Sequence, residues 1–118
     1  MNHSYPISID GHNYGASNTF GGAADGIALT PDGTRLVYCA LQGVELWSVD
    51  ALVLGDHTST HALIQATQSF LGHKPSISDG LAFDCSGRLW FGGLETNALY
   101  SWLYSHARPN VGTAAIYA

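Results

Sequence analysis

The feature that most constrains this chain is an internal repeat. Residues 24–49 (ADGIALTPDGTRLVYCALQGVELWSV) return as residues 78–102 (SDGLAFDCSGRLWFGGLETNALYSW), a period of roughly 50 residues. Within the two copies, Asp25-Gly26 aligns with Asp79-Gly80. A repeat of this length is typical of stacked or radial architectures, in which no single unit buries its own apolar face. The sequence therefore predicts about two such units.

Each copy predicts the same succession of strands and turns. Short apolar runs at residues 26–29 and 80–83 lack polar alternation, as expected of a strand covered on both faces. Gly33 and Gly87 then mark hairpin turns. Second and third strands follow from the content of β-branched and aromatic residues. The predicted ranges are 36–40 and 89–93 for the second strands, and 44–49 and 98–104 for the third.

The segments around the repeat complete the pattern. Residues 59–67 predict a short helix, and residues 69–73 predict a fourth, outer strand. Residues 4–11 predict a strand of a preceding unit, and residues 111–117 an outer strand of the second unit. Four antiparallel strands in about 50 residues form the blade of a β-propeller.

The fold class predicted is therefore all-β, built of propeller blades that are four-stranded antiparallel meanders, with a short helix between strands. One propeller domain is expected to contain all parts of the chain. Residues 1–23 would form the end of a preceding blade and a loop, residues 24–77 the first blade, and residues 78–118 the second blade.

The low charge of the chain restricts its partners. Charged residues make up 11% and the net charge is −5, whereas globular proteins carry about a quarter of charged residues. Much of the surface is therefore expected to face more protein, either the remaining blades of the same propeller or other copies of the chain. The four scattered cations give no reason to expect nucleic acid as a partner.

Targeting and redox signals are sparse. No apolar run approaches the roughly 20 residues of a membrane span, so none is expected. The N-terminus has neither the basic nor the apolar region of a signal peptide. Cys39 and Cys85 leave two readings open, a disulfide between them or two free thiols.

The meander predicts which residues share a face. If the first strand of each blade lines a central channel, Asp25 and Asp79 stand at its mouth, beside the loops at residues 42–43 and 95–97. Carboxylates there could bind a metal ion, orient an amine or act as a general base. Because the two aspartates recur, a structural role in the turn between blades is the alternative.

The remaining candidates have no counterpart in the first copy. Asn97 aligns with Val44, and its amide can both donate and accept a hydrogen bond. Glu95 and Ser78 lie on the same predicted face. Asp79 and Asn97 are the only candidates for a metal site, which would take a divalent ion such as calcium. No complete catalytic apparatus is visible, so the sequence leaves open whether the protein is an enzyme.

Three segments carry a family resemblance. They are GIALTPDG (residues 26–33), LGHKPSISDGLAFD (71–84) and FGGLETNA (91–98). Together they resemble the major royal jelly protein/Yellow family across residues 24–102. The resemblance implies a six-bladed propeller, usually secreted, of which this chain would supply about two blades. The chain would then be a piece of a longer propeller or one of several assembling copies.

The resemblance implies a function as well. An extracellular segment would bind a small polar or aromatic ligand at the channel mouth, through residues such as Asp25, Asp79 and Asn97. An alternative is a metal-dependent hydrolase of the gluconolactonase/regucalcin type, in which carboxylate and Asn oxygens hold the metal ion that polarises a lactone. A third possibility is a non-catalytic structural or protein-interaction propeller.

Overall fold

The structure is a computed structural model, and it describes residues 7–14 and 24–117. Within these ranges the chain is mostly β, with two four-stranded antiparallel sheets, one two-stranded hairpin and a few short helices. The predicted all-β class is confirmed at this level. No helix of the described part is long and apolar enough to cross a membrane.

The first strands of the described chain form a small hairpin. Strands β1 (Ile7–Ile9) and β2 (His12–Tyr14) pair antiparallel. Asp10 and Gly11 connect them with positive φ angles of 48° and 79°, the left-handed conformation that Asn, Asp and Gly adopt most readily. The strand predicted at residues 4–11 thus exists over part of its range, and residues 4–6 lie outside the described residues.

The first large sheet follows the predicted meander. Strands β3 (Ala24–Leu29), β4 (Arg35–Ala40), β5 (Glu45–Asp50) and β6 (Ser69–His73) lie in the order β3-β4-β5-β6. Each strand pairs antiparallel with the next one along the chain. The four predicted strands of the first copy are therefore all confirmed, within a residue or two at their ends.

The second large sheet repeats this order. Strands β7 (Leu81–Phe83), β8 (Arg88–Gly93), β9 (Ala98–Leu103) and β10 (Ala115–Ile116) are hydrogen-bonded in sequence. Strand β10 is shorter than the predicted 111–117, because Val111–Thr113 forms a 3-10 helix. The side chain of Asn110 caps that helix by accepting from the amide of Gly112 at 3.1 Å.

Two short helices connect β5 to β6. Helix α2 (His61–Ala66) confirms the predicted helix, and the Thr60 hydroxyl caps it by accepting from the amide of Leu63. Helix α1 (Ala51–Gly55) was not predicted, because its apolar run continues directly from strand β5. The signal for it is Asp50, whose carboxylate accepts from the amide of Val53 at 2.9 Å.

The two sheets share one apolar core. Its buried residues come from both sheets and from the 3-10 helix: Val37, Cys39, Leu46, Leu71, Leu89, Phe91, Tyr100, Trp102 and Val111. The first strands β3 and β7 approach closely at Gly26. A Cβ atom there would lie 2.8 Å from the carbonyl oxygen of Asp79 and 3.1 Å from Cγ of Leu81, so the contact requires glycine.

An arginine–serine pair recurs in both sheets and explains part of the repeat. Arg35 donates from Nη2 to the Ser48 hydroxyl at 2.9 Å and to the carbonyl of Thr67 at 2.7 Å. At the equivalent place, Arg88 donates to the Ser101 hydroxyl at 3.3 Å. The recurring Arg and Ser therefore tie the second strand of each sheet to the third.

We expect the two serines to contribute unequally. Ser48 is fully buried, so Ser48→Ala leaves the Arg35 guanidinium short of a buried acceptor and should lower the free energy of unfolding by about 1–2 kcal/mol. Arg88 is exposed and can bind water instead, so Ser101→Ala, with its longer bond, should cost less, about 0.5 kcal/mol. Urea unfolding monitored by tryptophan fluorescence measures both. Equal losses would contradict the ranking.

Candidate functional site

The rim formed by the starts of β3 and β7 is the first candidate site. Asp25 and Asp79 are both exposed there. The two strand starts are close together, since the backbone of Gly26 approaches the carbonyl oxygen of Asp79. The structure thus brings the two predicted aspartates to one rim.

The turn between β8 and β9 supplies two further predicted residues, both exposed. The carboxylate of Glu95 accepts from the amide of Ser8 at 3.4 Å, and its own amide donates to the Ser76 hydroxyl at 3.2 Å. Asn97 has a positive φ of 50°, a conformation in which Asn is enriched over other residues. Its place in the turn therefore has a structural reason, independent of any ligand.

The segment between β6 and β7 starts below this rim, and most of its residues before Asp79 are buried. Ser78, predicted as a ligand contact, is fully buried, as is Cys39, and Lys74 is only 3% exposed. The Lys74 ammonium donates to the Ser78 hydroxyl, and its Nζ lies 3.3 Å from the Cys39 sulfur. These three side chains form a polar cluster, Lys74–Ser78–Cys39, inside the contact between the sheets.

The environment of Lys74 is unfavourable to its charge. Burial lowers the pKa of Lys74, and the neighbouring Cys39 thiol opposes this only in part. No carboxylate of the described residues compensates the ammonium. The ring of Phe91 has its centroid 6.0 Å from Nζ. A lysine kept in such a place is a candidate functional residue on physical grounds.

Gln42 adds an unsatisfied acceptor to the same end of the first sheet. It lies in the β4–β5 connection, which is joined to the cluster by the amide of Lys74 donating to the carbonyl of Val44 at 2.7 Å. Gln42 is 7% exposed, and its Oε1 is one of two buried side-chain atoms without a hydrogen-bond partner among the described residues. Leaving such an acceptor unpaired costs about 1–3 kcal/mol.

Sequence reasoning placed Gln42 on the correct loop but did not single it out, nor did it identify Lys74. The only signal for Lys74 was its position in a loop without a counterpart in the first copy. Neither burial nor the contact with Cys39, 35 positions earlier in the chain, can be seen from local sequence.

Metal and disulfide chemistry were the other open questions. Across residues 7–14 and 24–117, no group of three or more His, Cys, Asp or Glu side chains is placed to hold a metal ion. Cys39 is buried, Cys85 is exposed, and both are free thiols. Of the two readings left open for the cysteines, the structure therefore has the free thiols.

The hairpin turns at the opposite end are structural. In the first, the Asp32 carboxylate accepts from the hydroxyls of Thr30 and Thr34 and from the Thr34 amide. These hydrogen bonds hold the pKa of Asp32 below its usual range. The carboxylate thereby fixes the turn through its Oδ1 atom, which accepts all three bonds.

The second hairpin turn is also stabilised by a carboxylate, but at a different position of the repeat. Asp84 now occupies the position of Thr30 and accepts from the hydroxyl of Ser86 at 2.6 Å, and from Trp90 Nε1 at 2.9 Å. These bonds, with others from backbone amides, hold the pKa of Asp84 far below its usual range. Asp84 is therefore a turn-stabilising carboxylate, like Asp32.

The fold and site define a mostly β protein of two consecutive four-stranded antiparallel sheets, with a carboxylate rim above a buried lysine cluster. Comparison of the chain with protein-family models and with curated proteins finds no match.

Proposed function

We propose that the chain forms two adjacent blades of a β-propeller of the Yellow/major royal jelly type, and that it binds a small aromatic amine at the rim of Asp25 and Asp79. The observation that carries the proposal is the side-by-side approach of β3 and β7, with an exposed aspartate at the start of each. In a propeller, first strands of neighbouring blades lie together around the channel.

Sheet order supports the propeller part of the proposal. Both sheets are meanders of four antiparallel strands in which the first strand is an edge strand. They pack through their faces with the first strands adjacent, as blades around an axis would. The assignment to the Yellow/major royal jelly type rests on the resemblance of residues 24–102. The resemblance also implies an extracellular protein, and that location stays a prediction.

Charge selects the ligand class. Asp25, Asp79 and Glu95 are exposed carboxylates on the predicted channel face, and the chain has only four Lys and Arg residues in all. A cationic ligand is therefore favoured over an anionic one. A primary ammonium can donate up to three hydrogen bonds, which two carboxylates and the amide of Asn97 could accept.

The test is an isothermal calorimetric titration of the full chain with tyramine, a phenolic primary amine. Each charge-assisted hydrogen bond contributes about 1.5–3 kcal/mol, so Asp25→Asn and Asp79→Asn should each weaken binding by about tenfold or more. Asp56→Asn removes an exposed carboxylate that caps the loop after α1 and should change affinity by less than about twofold. Unaltered binding in both rim variants would refute the site.

Thermal unfolding with calcium chloride tests the metal-dependent alternative. If the rim binds amines alone, calcium should leave the midpoint temperature of unfolding unchanged. A calcium-dependent rise in the midpoint that Asp79→Ala abolishes would favour the lactonase-like reading instead. A response to neither ligand, with folding intact, would contradict the proposed function.

A further inference from the structure

The second sheet buries a defined set of cross-strand pairs against the first. Leu81 pairs with Phe91, and Phe83 pairs with Leu89, on the face turned toward the first sheet. Leu89 is fully buried and Phe91 is 2% exposed. This face is apolar because it is covered by protein.

The first sheet has the same pairs on its far side, where helices α1 and α2 cover them only in part. Aligning the repeat places Ile27 opposite Tyr38 and Leu29 opposite Leu36, each matching one buried pair of the second sheet. Ile27 is 56% exposed and Leu29 is 52% exposed. An open cleft of ≈ 250 Å³ lies over Ile27, Leu36 and Tyr38. We name Ile27, Leu29, Leu36 and Tyr38 the leading face.

The face of the first sheet that covers these buried pairs also has a repeat equivalent in the second sheet. In the first sheet it contains Gly26 and the buried Val37 and Cys39. Alternation along the strands places their counterparts on the far side of the second sheet. There no atom of the described residues lies within 4 Å of a Cβ atom built on Gly80 or Gly92, whereas Gly26 is in close contact. We name the counterparts the receiving face: Gly80, Ala82, Trp90 and Gly92.

We propose that the chain binds a second copy of itself head to tail, the leading face of one copy packing on the receiving face of the next. This goes beyond ligand binding at the rim. The argument is continuity with the contact inside the chain. There the apolar pairs of the second sheet pack on the Gly26 face of the first sheet, and the leading and receiving faces are the repeats of these two surfaces. The carbonyl of Asp25 would approach Gly80 of the second copy, as that of Asp79 approaches Gly26 within one chain.

Such an interface joins two different surfaces, so it must close into a ring or grow into a filament. Propellers have about four to eight blades, and two sheets per chain would close with two to four copies. The copies would place their Asp25–Asp79 rims around one axis. The proposal therefore predicts a closed assembly of dimer to tetramer size.

The test uses two complementary variants of the full chain and light scattering after gel filtration. Ile27→Asp puts a charge into the leading face, and Gly80→Val fills the space on the receiving face. Each variant alone should be monomeric, and a mixture of the two should form a one-to-one dimer through the single intact pair of faces. The wild type should have the mass of two to four chains. Leu52→Asp, at an exposed apolar site on α1, should assemble like the wild type.

Circular dichroism of each variant checks that the sheets remain folded, and Gly80→Ala serves as the smallest receiving-face change if Gly80→Val is unfolded. A wild type that stays monomeric at millimolar concentration would overturn the proposal. So would assembly that persists in both face variants, or a mixture without the one-to-one dimer. None of these readouts uses tyramine, so failure of the ligand site and failure of self-assembly are distinguishable.

Discussion

Lys74→Met will stabilise the protein at neutral pH, by about 1–4 kcal/mol of unfolding free energy. The ammonium is removed from water almost completely, at a desolvation cost of several kcal/mol. No carboxylate within residues 7–14 and 24–117 compensates it. Against this stands the loss of its hydrogen bonds to Ser78 and Cys39, worth about 1–3 kcal/mol. Methionine has similar length and no charge, so desolvation should dominate.

The pH dependence follows from the same cause. The pKa of Lys74 is lowered in the folded protein, so below its unfolded value of about 10.4 the unfolded chain binds the proton more readily. The unfolding free energy of the wild type, relative to that of Lys74→Met, should therefore rise with pH until that value is reached. Below the lowered pKa both states are protonated and the difference is constant. Urea unfolding of both proteins at several pH values between 7 and 10 gives the difference curve.

Two controls define this experiment. Burial raises the pKa of Tyr38 and of Tyr104, which destabilises the fold at high pH in both proteins and cancels in the difference. Arg108→Met removes an exposed cation and should change stability by less than about 0.5 kcal/mol. A Lys74→Met protein less stable than wild type at every pH would show that the lysine contributes to the core. Greater stability would mark Lys74 as a residue retained for a role other than folding.

Gly26→Ala will lower the free energy of unfolding by about 2–3 kcal/mol, because the added methyl group overlaps groups that cannot turn aside. The carbonyl oxygen of Asp79 would lie 2.8 Å from it, and that atom belongs to the backbone. The two first strands must then separate.

Gly80→Ala is the matched control for that substitution. Gly80 is the repeat equivalent of Gly26 and lacks a positive φ. No atom in the described part of the chain lies within 4 Å of a Cβ built on it. At concentrations where the chain is monomeric it should be neutral or slightly stabilising. Thermal unfolding of dilute samples compares the two variants. Equal destabilisation would show that the glycines act through backbone conformation and that the close approach of β3 to β7 is not the cause.

Local sequence was sufficient for most of the secondary structure. The strands of both sheets were predicted because each copy combines apolar runs, β-branched residues and turn glycines at matching places. Helix α1 was missed since ALVL suits a strand as well as a helix, and only the cap at Asp50 decides between them. The exposure of Asp25 and Asp79 at a shared rim was also foreseeable, because a meander returns each first strand to the same end.

The interior of the site could not be foreseen in that way. Ser78 was expected at the surface and lies buried beneath Lys74, because the segment after β6 turns into the contact between the sheets. What the sequence by itself determined is the repeat: two meanders, their turns, and the apolar pairs that each sheet must cover. Only the tertiary structure decided which copy of those pairs is covered. Packing joins faces that are far apart in the chain, so Leu81 and Phe91 pack into the core, whereas Ile27, the repeat equivalent of Leu81, is 56% exposed.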